Sequence, residues 1–204
     1  MLDIIHQMDK HFVDAEDLIQ DSYRLGVQVY NSGFRPDFII GLWRGGSSVG
    51  IAVQECLQHL GVKTDHIAVR TSYTGMTSYK SMIRNASEIR VHGLQYPVDT
   101  LNSANKLLIV DDVYSSGLNV KAVIDELSRK ARRNMPGEIR IAATWHKPEN
   151  LKTGRPADYF IHETNQWLVL PYELSGLTQE EIRKHRPELA PIFDAVREKR
   201  SRSS

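Results

Sequence analysis

The chain contains one cysteine, Cys56, in 204 residues. That excludes an internal disulfide and any four-cysteine metal site, and it fits a reducing cytoplasm. Net charge is nearly absent: 26 Lys and Arg against 25 Asp and Glu leave +1, so no global field draws the protein to nucleic acid or an anionic membrane. No run of 18 uncharged apolar residues occurs, so no membrane span is expected. Asp3, Asp9 and Lys10 interrupt the start, so no secretory h-region is expected either. The eight histidines show no HExxH or HxE…CxxC spacing, and P-loop and GxGxxG fingerprints are missing. What is present is ordinary: 41% hydrophobic and 25% charged residues, a globular composition and not a disordered one. A chain of this length suits one domain, or one domain with a small appendage, burying about 70% of the surface its unfolded form exposes.

Two short apolar runs, Asp37–Trp43 and Lys106–Val110, are continuous rather than alternating. Such runs suit a sheet covered on both faces, which is usually parallel. Ile139–Trp145 is similar, and His66–Val69 is a shorter candidate. Between them, residues 14–31, 47–60 and 118–131 carry apolar residues at helical period. Asp14 suits an N-cap, and Gly33 a stop before Pro36. Alternating helix and strand predict an α/β fold with a central parallel sheet flanked by helices.

Two regions depart from that alternation. Residues 71–93, rich in Ser, Thr, Gly and Asn, read as a long functional loop, a lid. Residues 148–176, punctuated by Pro148, Gly154, Pro156, Pro171 and Gly176, read as a small C-terminal hood. The expected organisation is a core over about 12–147, the hood over 148–176 and a helical tail over 177–204.

The strongest chemical signal is Leu107-Leu108-Ile109-Val110-Asp111-Asp112-Val113-Tyr114-Ser115-Ser116-Gly117-Leu118-Asn119. A buried strand runs into two adjacent carboxylates, a hydroxyl-rich turn and an amphipathic helix. In open α/β sheets ligands bind beyond the carboxyl ends of strands. Amides at Ser115–Asn119, at a helix start, would seat a phosphate. Asp111 and Asp112 could hold sugar hydroxyls or the waters of a magnesium ion. Gly41-Leu42-Trp43-Arg44-Gly45-Gly46 repeats the strand-to-helix theme, with glycines permitting close approach and Arg44 placed to meet an anion.

These residues resemble the type I phosphoribosyltransferases. Residues 107–119 are similar to the family's signature for phosphoribosyl pyrophosphate, and Arg44-Gly45-Gly46 resembles its pyrophosphate loop. Within the family the resemblance runs to hypoxanthine/xanthine/guanine enzymes. Ser72-Tyr73 resembles the Ser-Tyr pair of their lid, and Lys147-Pro148 the lysine segment facing the exocyclic oxygen of a 6-oxopurine. Trp167, then Leu168 and Pro171-Tyr172-Glu173, resembles the base-stacking aromatic and the acidic segment after it. The resemblance implies salvage of a 6-oxopurine with Mg²⁺ held by Asp111, Asp112 and Glu173. Asp111, Asp112 and Arg44 would be catalytic, and Lys147, Trp167, Leu168 and Glu173 would bind the purine. Arg44, Gly45, Gly46, Ser72, Tyr73, Asp111, Asp112 and Tyr114 to Asn119 would bind the donor. A homodimer or homotetramer follows from the same resemblance. Two positions depart: Ser115 replaces a third aspartate that exchanges a proton with purine N7, and Asn119 replaces a threonine. Serine is a poor general base near neutrality.

Two other readings exist. Gly46-Ser47-Ser48-Val49-Gly50 matches the G-x-S-x-G elbow of serine hydrolases, with Asp111 or Asp112 and then His146 or His162 in chain order. Alternatively the fold binds a nucleotide for regulation, with Arg129, Lys130, Arg132 and Arg133 as an RNA-contacting patch.

Overall fold

The computed structural model describes residues 10–73 and 89–201. The chain divides into two compact units, one of Ala15–Asn165 and one built from both ends, up to Asp14 and from Gln166 onward.

The larger unit holds a six-stranded sheet of order β4-β3-β2-β5-β6-β7. Its strands are β2 (Phe38–Trp43), β3 (Asp65–Tyr73), β4 (Ile89–His92), β5 (Lys106–Tyr114), β6 (Glu138–His146) and β7 (Tyr159–Glu163). All neighbours pair in parallel except β4, which runs antiparallel to β3. The apolar runs become the sheet's centre: Ile39, Ile40 and Leu107–Val110 are wholly buried. Each such side chain contributes about 1.5–3 kcal/mol by leaving water, which fixes these strands between two helical layers.

On one face, Phe38, Ile40, Leu107 and Ile109 pack with Val120, Val123 and Leu127 of α4 (Leu118–Ala131). A short α3 (Gln95–Thr100) lies between β4 and β5 in the chain. On the other face are α1 (Ala15–Asn31) and α2 (Gly45–His59), which touch closely: a Cβ on Gly26 would lie 2.8 Å from Cys56 Cβ. Gly33 ends α1 in left-handed backbone (φ 82°), its N–H donating to the Tyr30 carbonyl, as its sequence position predicts.

Beneath α2, Gly41 and Gly50 make room for the His66 ring; Cβ atoms there would approach Nε2 to 2.9 and 2.8 Å. That Nε2 is buried without a hydrogen-bond partner. Burial pushes the His66 pKa down, outweighing the opposing pull of Asp65. The unfolded chain therefore takes the proton more readily, so the stability that neutral His66 preserves is present above its ordinary pKa of 6.5 and lost on acidification below it. Thermal melts between pH 7.5 and 5 should show Tm falling more steeply in the native sequence than in His66→Gln; parallel curves would contradict this account.

The structure corrects two expectations. Residues 148–176 do not form one hood: β7 pairs in parallel with β6 as the sixth strand of the main sheet, with Ala142 opposite Tyr159 and His146 opposite Glu163. The long loop is shorter than 71–93, since 71–73 extend β3 and 89–92 form β4. The middle of the expected lid, 74–88, lies outside the described residues.

In the smaller unit, β1 (Lys10–Phe12) pairs in parallel with β8 (Trp167–Val169). Two helices follow, α5 (Gln179–His185) and α6 (Ala190–Ser201). Thr178 and Glu181 form a capping box on α5. Lys10 Nζ reaches Glu181 Oε1 at 2.6 Å, the Phe12 and His185 rings stack at 3.8 Å, and buried Arg186 donates to the Val13 carbonyl. No described helix is long and apolar enough to cross a membrane.

Candidate active site

The sheet places a crevice where its connections reverse. From β2 the chain crosses through α2 to β3 on one side, whereas β5 crosses through α4 to β6 on the other. Such a switch point is where open α/β sheets bind ligands. The β2–β5 pairing runs from Phe38–Leu107 to Gly41–Val110. Beyond it, β2 continues through a cis Trp43–Arg44 peptide into α2, and β5 continues through Asp111–Tyr114 toward α4.

Gly46, in the first turn of α2, lies directly against β5. A Cβ there would sit 2.5 Å from the Val110 carbonyl oxygen, 2.9 Å from Asp111 Cα and 3.3 Å from Asp111 Oδ1. Glycine alone lets the helix start reach the carboxylate. Neither the Arg44 side chain nor the Gly117 position caps its helix. In α2 the Ser47 N–H donates to the Arg44 carbonyl, and in α4 the Leu118 N–H donates to Ser116 Oγ, while both helix starts keep the positive end of their dipoles.

Asp111 and Asp112 bend back on the backbone. Asp111 Oδ1 accepts from the Asp112 N–H and Asp112 Oδ1 from the Val113 N–H, both at 3.0 Å. Thr144 Oγ1 donates to the Asp112 carbonyl, fixing the strand at that point. Burial first, and the Asp112 charge second, hold the Asp111 carboxyl well above its ordinary value of 3.8. The protein thus keeps a partly buried acidic pair that a cation or sugar hydroxyls would relieve. Its cost to the unliganded fold grows as pH climbs above 3.8. Asp111→Asn should therefore raise Tm at pH 7. The gain should shrink at pH 4, and an equal or lower Tm at pH 7 would refute the stored repulsion.

The turn after β5 is held by a strap the sequence did not announce. Lys147 N–H donates to the Tyr114 carbonyl (2.9 Å), Asn150 Nδ2 to Ser115 Oγ (3.2 Å) and Lys152 N–H to the Ser116 carbonyl (3.0 Å). Buried Tyr114 donates its hydroxyl to the Arg155 carbonyl at 2.8 Å. Gly117 adopts φ 75°, and a Cβ there would lie 2.6 Å from Thr153 Oγ1 and 2.8 Å from the Tyr114 hydroxyl. Both conformation and space demand glycine. Asn150, Lys152, Thr153 and Arg155 were missed because their bonds join segments more than thirty residues apart, which no local pattern records.

The predicted residues divide accordingly. Arg44, Gly45 and Gly46 lie where β2 passes into α2, and Asp111, Asp112, Ser115, Ser116, Gly117 and Asn119 run from the end of β5 into α4. Tyr114 is a core residue, and the Lys147 N–H joins the turn at its carbonyl. Leu118 is a core residue, and its N–H donates to Ser116 Oγ at 3.3 Å. Ser72 lies near the end of β3, its hydroxyl 2.8 Å from His92 Nε2. Tyr73 is the last residue of β3. Trp167, Leu168 and Glu173 belong to the smaller unit, where Leu168 is buried, Trp167 is 37% exposed, and Glu173 Oε2 accepts from the Leu170 N–H. Among the described residues no three His, Cys, Asp or Glu side chains gather as a metal cage. Two carboxylates without a cage suit magnesium, which keeps waters and shares its coordination with substrate oxygens.

The hydrolase geometry is not formed. Ser48 sits inside α2 and donates to the Gly45 carbonyl, not at a strand tip. His146 packs between the Tyr114 and Phe160 rings, and His162 binds buried Asp21 of α1 at 2.5 Å. Arg129 and Lys130 are ion-paired to Glu126 on their own helix.

A family model described as a phosphoribosyl transferase domain matches residues 9–175. No curated protein matches the chain. Solved structures do. A purine phosphoribosyltransferase from Pyrococcus horikoshii aligns with TM-score 0.61 and 22% identity, over 84% of this chain and 98% of that one. A hypothetical protein from Neisseria gonorrhoeae with bound ppGpp aligns with TM-score 0.67 and 19% identity, over 92% and 99%. The Helicobacter pylori xanthine-guanine-hypoxanthine phosphoribosyltransferase aligns with TM-score 0.59 and 18% identity, over 81% and 95%. At these identities the likeness establishes a shared fold.

Proposed function

This chain belongs to the phosphoribosyl transferase domain family, and from that premise we propose that it moves the 5-phosphoribosyl group of phosphoribosyl pyrophosphate onto a 6-oxopurine, releasing pyrophosphate. Membership makes it a glycosyltransferase of the pentosyl class. The observation that carries the donor reading is the pairing of β2 with β5, which brings the starts of two helices and an acidic pair to one strand edge.

Each part has a task in this reaction. The amides and hydroxyls of Ser115–Asn119 bind the 5-phosphate. Asp111 and Asp112 orient the ribose hydroxyls. Arg44 and the α2 amides neutralise the departing pyrophosphate; losing one such preorganised donor typically costs about 3–4 kcal/mol of barrier. Magnesium, when bound beside the Asp pair, supplies positive charge to the diphosphate. Lys147 orients the base. Ser115, held by Asn150, spaces the turn and takes no proton from purine N7. Salvage in the cytoplasm, as a dimer or tetramer, fits this assignment.

The Neisseria protein, described with bound ppGpp, favours one second reading: a nucleotide-binding regulator with little turnover. Pyrophosphate release decides between them, measured with donor and Mg²⁺ against hypoxanthine, guanine, xanthine, adenine and orotate. The transferase reading expects turnover with a 6-oxopurine. Nucleotide binding without release of pyrophosphate from any base would establish the regulator.

A further inference from the structure

The strap behind the turn after β5 decides which way that turn faces. Lys147, the first residue past β6, donates its N–H to the Tyr114 carbonyl at 2.9 Å, and Lys152 donates to the Ser116 carbonyl at 3.0 Å. Both peptides that follow these carbonyls are trans. A trans peptide is planar, so its carbonyl and the next residue's N–H point in opposite directions. The N–H groups of Ser115 and Gly117 therefore point away from the strap. For Ser115 the sheet fixes what lies on that side. Strand β5 has β6 on one edge and β2 on the other. The Tyr114 carbonyl turns to the β6 edge, so the Ser115 N–H turns to the β2 edge, where β2–β5 pairing has already ended at Gly41–Val110.

The Ser115 side chain is held by the same strap. Asn150 Nδ2 donates to Ser115 Oγ at 3.2 Å. Asn150 is set in turn by a 3₁₀ turn over Pro148–Asn150, where its own N–H donates to the Lys147 carbonyl and the Leu151 N–H to the Pro148 carbonyl, both at 3.2 Å. Leu151 packs against the hydrophobic core and anchors that turn. A serine hydroxyl offers one hydrogen and two lone pairs, whereas an amide NH₂ only donates. With one lone pair engaged by Asn150, the Ser115 hydrogen cannot be given back to that nitrogen and is left for another acceptor.

We propose that Asn150 is a positioning residue for the donor's 5-phosphate: it fixes the Ser115 hydroxyl as a hydrogen-bond donor to a phosphate oxygen, beside the two amides that the strap directs. This rests on the donor site proposed above. Asn150 itself touches no substrate, and it acts through Ser115 alone.

The experiment is calorimetric binding of phosphoribosyl pyrophosphate and, separately, of pyrophosphate, each with Mg²⁺. The proteins are native, Asn150→Ala, Asn150→Asp, Ser115→Ala and the double variant Asn150→Ala/Ser115→Ala. The Asn150–Ser115 bond lies at the surface, so all should keep the native Tm. One net hydrogen bond corresponds to roughly 2–13-fold in affinity, and Asn150→Ala should weaken the phosphoribosyl donor by that factor. Asn150→Asp should weaken it further, because a carboxylate accepts the hydroxyl hydrogen and repels the phosphate. Pyrophosphate lacks the 5-phosphate, so its affinity should stay within about 2-fold of native in every variant, well inside the effect of one such bond. Added to Ser115→Ala, the Asn150→Ala change should cost less than about 2-fold more, since nothing remains for Asn150 to position. In turnover, Asn150→Ala should raise donor KM while kcat moves less. Equal weakening of both ligands, the same Asn150→Ala cost with and without the Ser115 hydroxyl, or Asn150→Asp binding the donor like native overturns the role of Asn150 and leaves the donor site intact. Failure of the native protein to bind the phosphoribosyl donor overturns the donor site itself and this inference with it.

Discussion

Gly46→Ala is expected to lower kcat/KM for pyrophosphate release by about 100-fold or more, the loss typical of a 1 Å displacement in a catalytic site. The added methyl would meet the Val110 carbonyl oxygen at 2.5 Å and Asp111 Cα at 2.9 Å. Both are backbone atoms of a central strand paired on each side, so neither can rotate away. The relief must come from α2, whose first turn would lift off β5 and carry Arg44 and its amides out of reach of a diphosphate. Overpacking of this kind costs roughly 1–3 kcal/mol, so Tm should fall while far-UV circular dichroism stays native. Native-like kinetics would show that the contact between α2 and Asp111 is not part of the site.

Asp112→Asn is expected to cut kcat/KM by about 10²–10³-fold, as the loss of one preorganised polar contact does in other enzymes, and to act mainly through weaker donor binding. The replacement keeps an oxygen for the Val113 N–H and leaves the Thr144 bond to the Asp112 carbonyl untouched, and it relieves the repulsion on Asp111, so Tm should hold or rise. What it removes is charge. Paired with Asp111→Asn, it separates two effects of the same dyad: both variants lose activity, and Asp111→Asn gains the more stability, because it removes the burial penalty as well as the repulsion. Unchanged kinetics in Asp112→Asn would refute its assigned role. Calorimetric titration with donor and Mg²⁺, beside steady-state turnover, reads both quantities.

The residues that sequence alone specified are those whose task is local. Leu107–Val110 had to be a strand buried on both faces, because four consecutive aliphatics leave no polar side to expose. The periodic patterns of α1, α2 and α4 each turned one stripe toward that sheet, and Gly33 and Gly117 sit where left-handed backbone is required. The acidic pair and hydroxyl turn were legible because strand, carboxylates, loop and helix follow one another in a single stretch, 107–119.

Tertiary structure decided whatever depends on partners distant in the chain. The strand β7 was hidden because an edge strand with half-buried side chains lacks a continuous apolar run, and prolines and glycines precede it. The strap of Asn150, Lys152 and Thr153 on the turn after β5, and the bond from His92 to Ser72, link separate segments that carry no local signature. Gly46 read from sequence as a flexible turn residue; only the packing of α2 on β5 makes it the point where a helix start can touch a carboxylate. Local backbone preference and burial pattern are properties of neighbours in sequence, whereas close approach and hydrogen bonding between strands exist only once the chain has closed on itself.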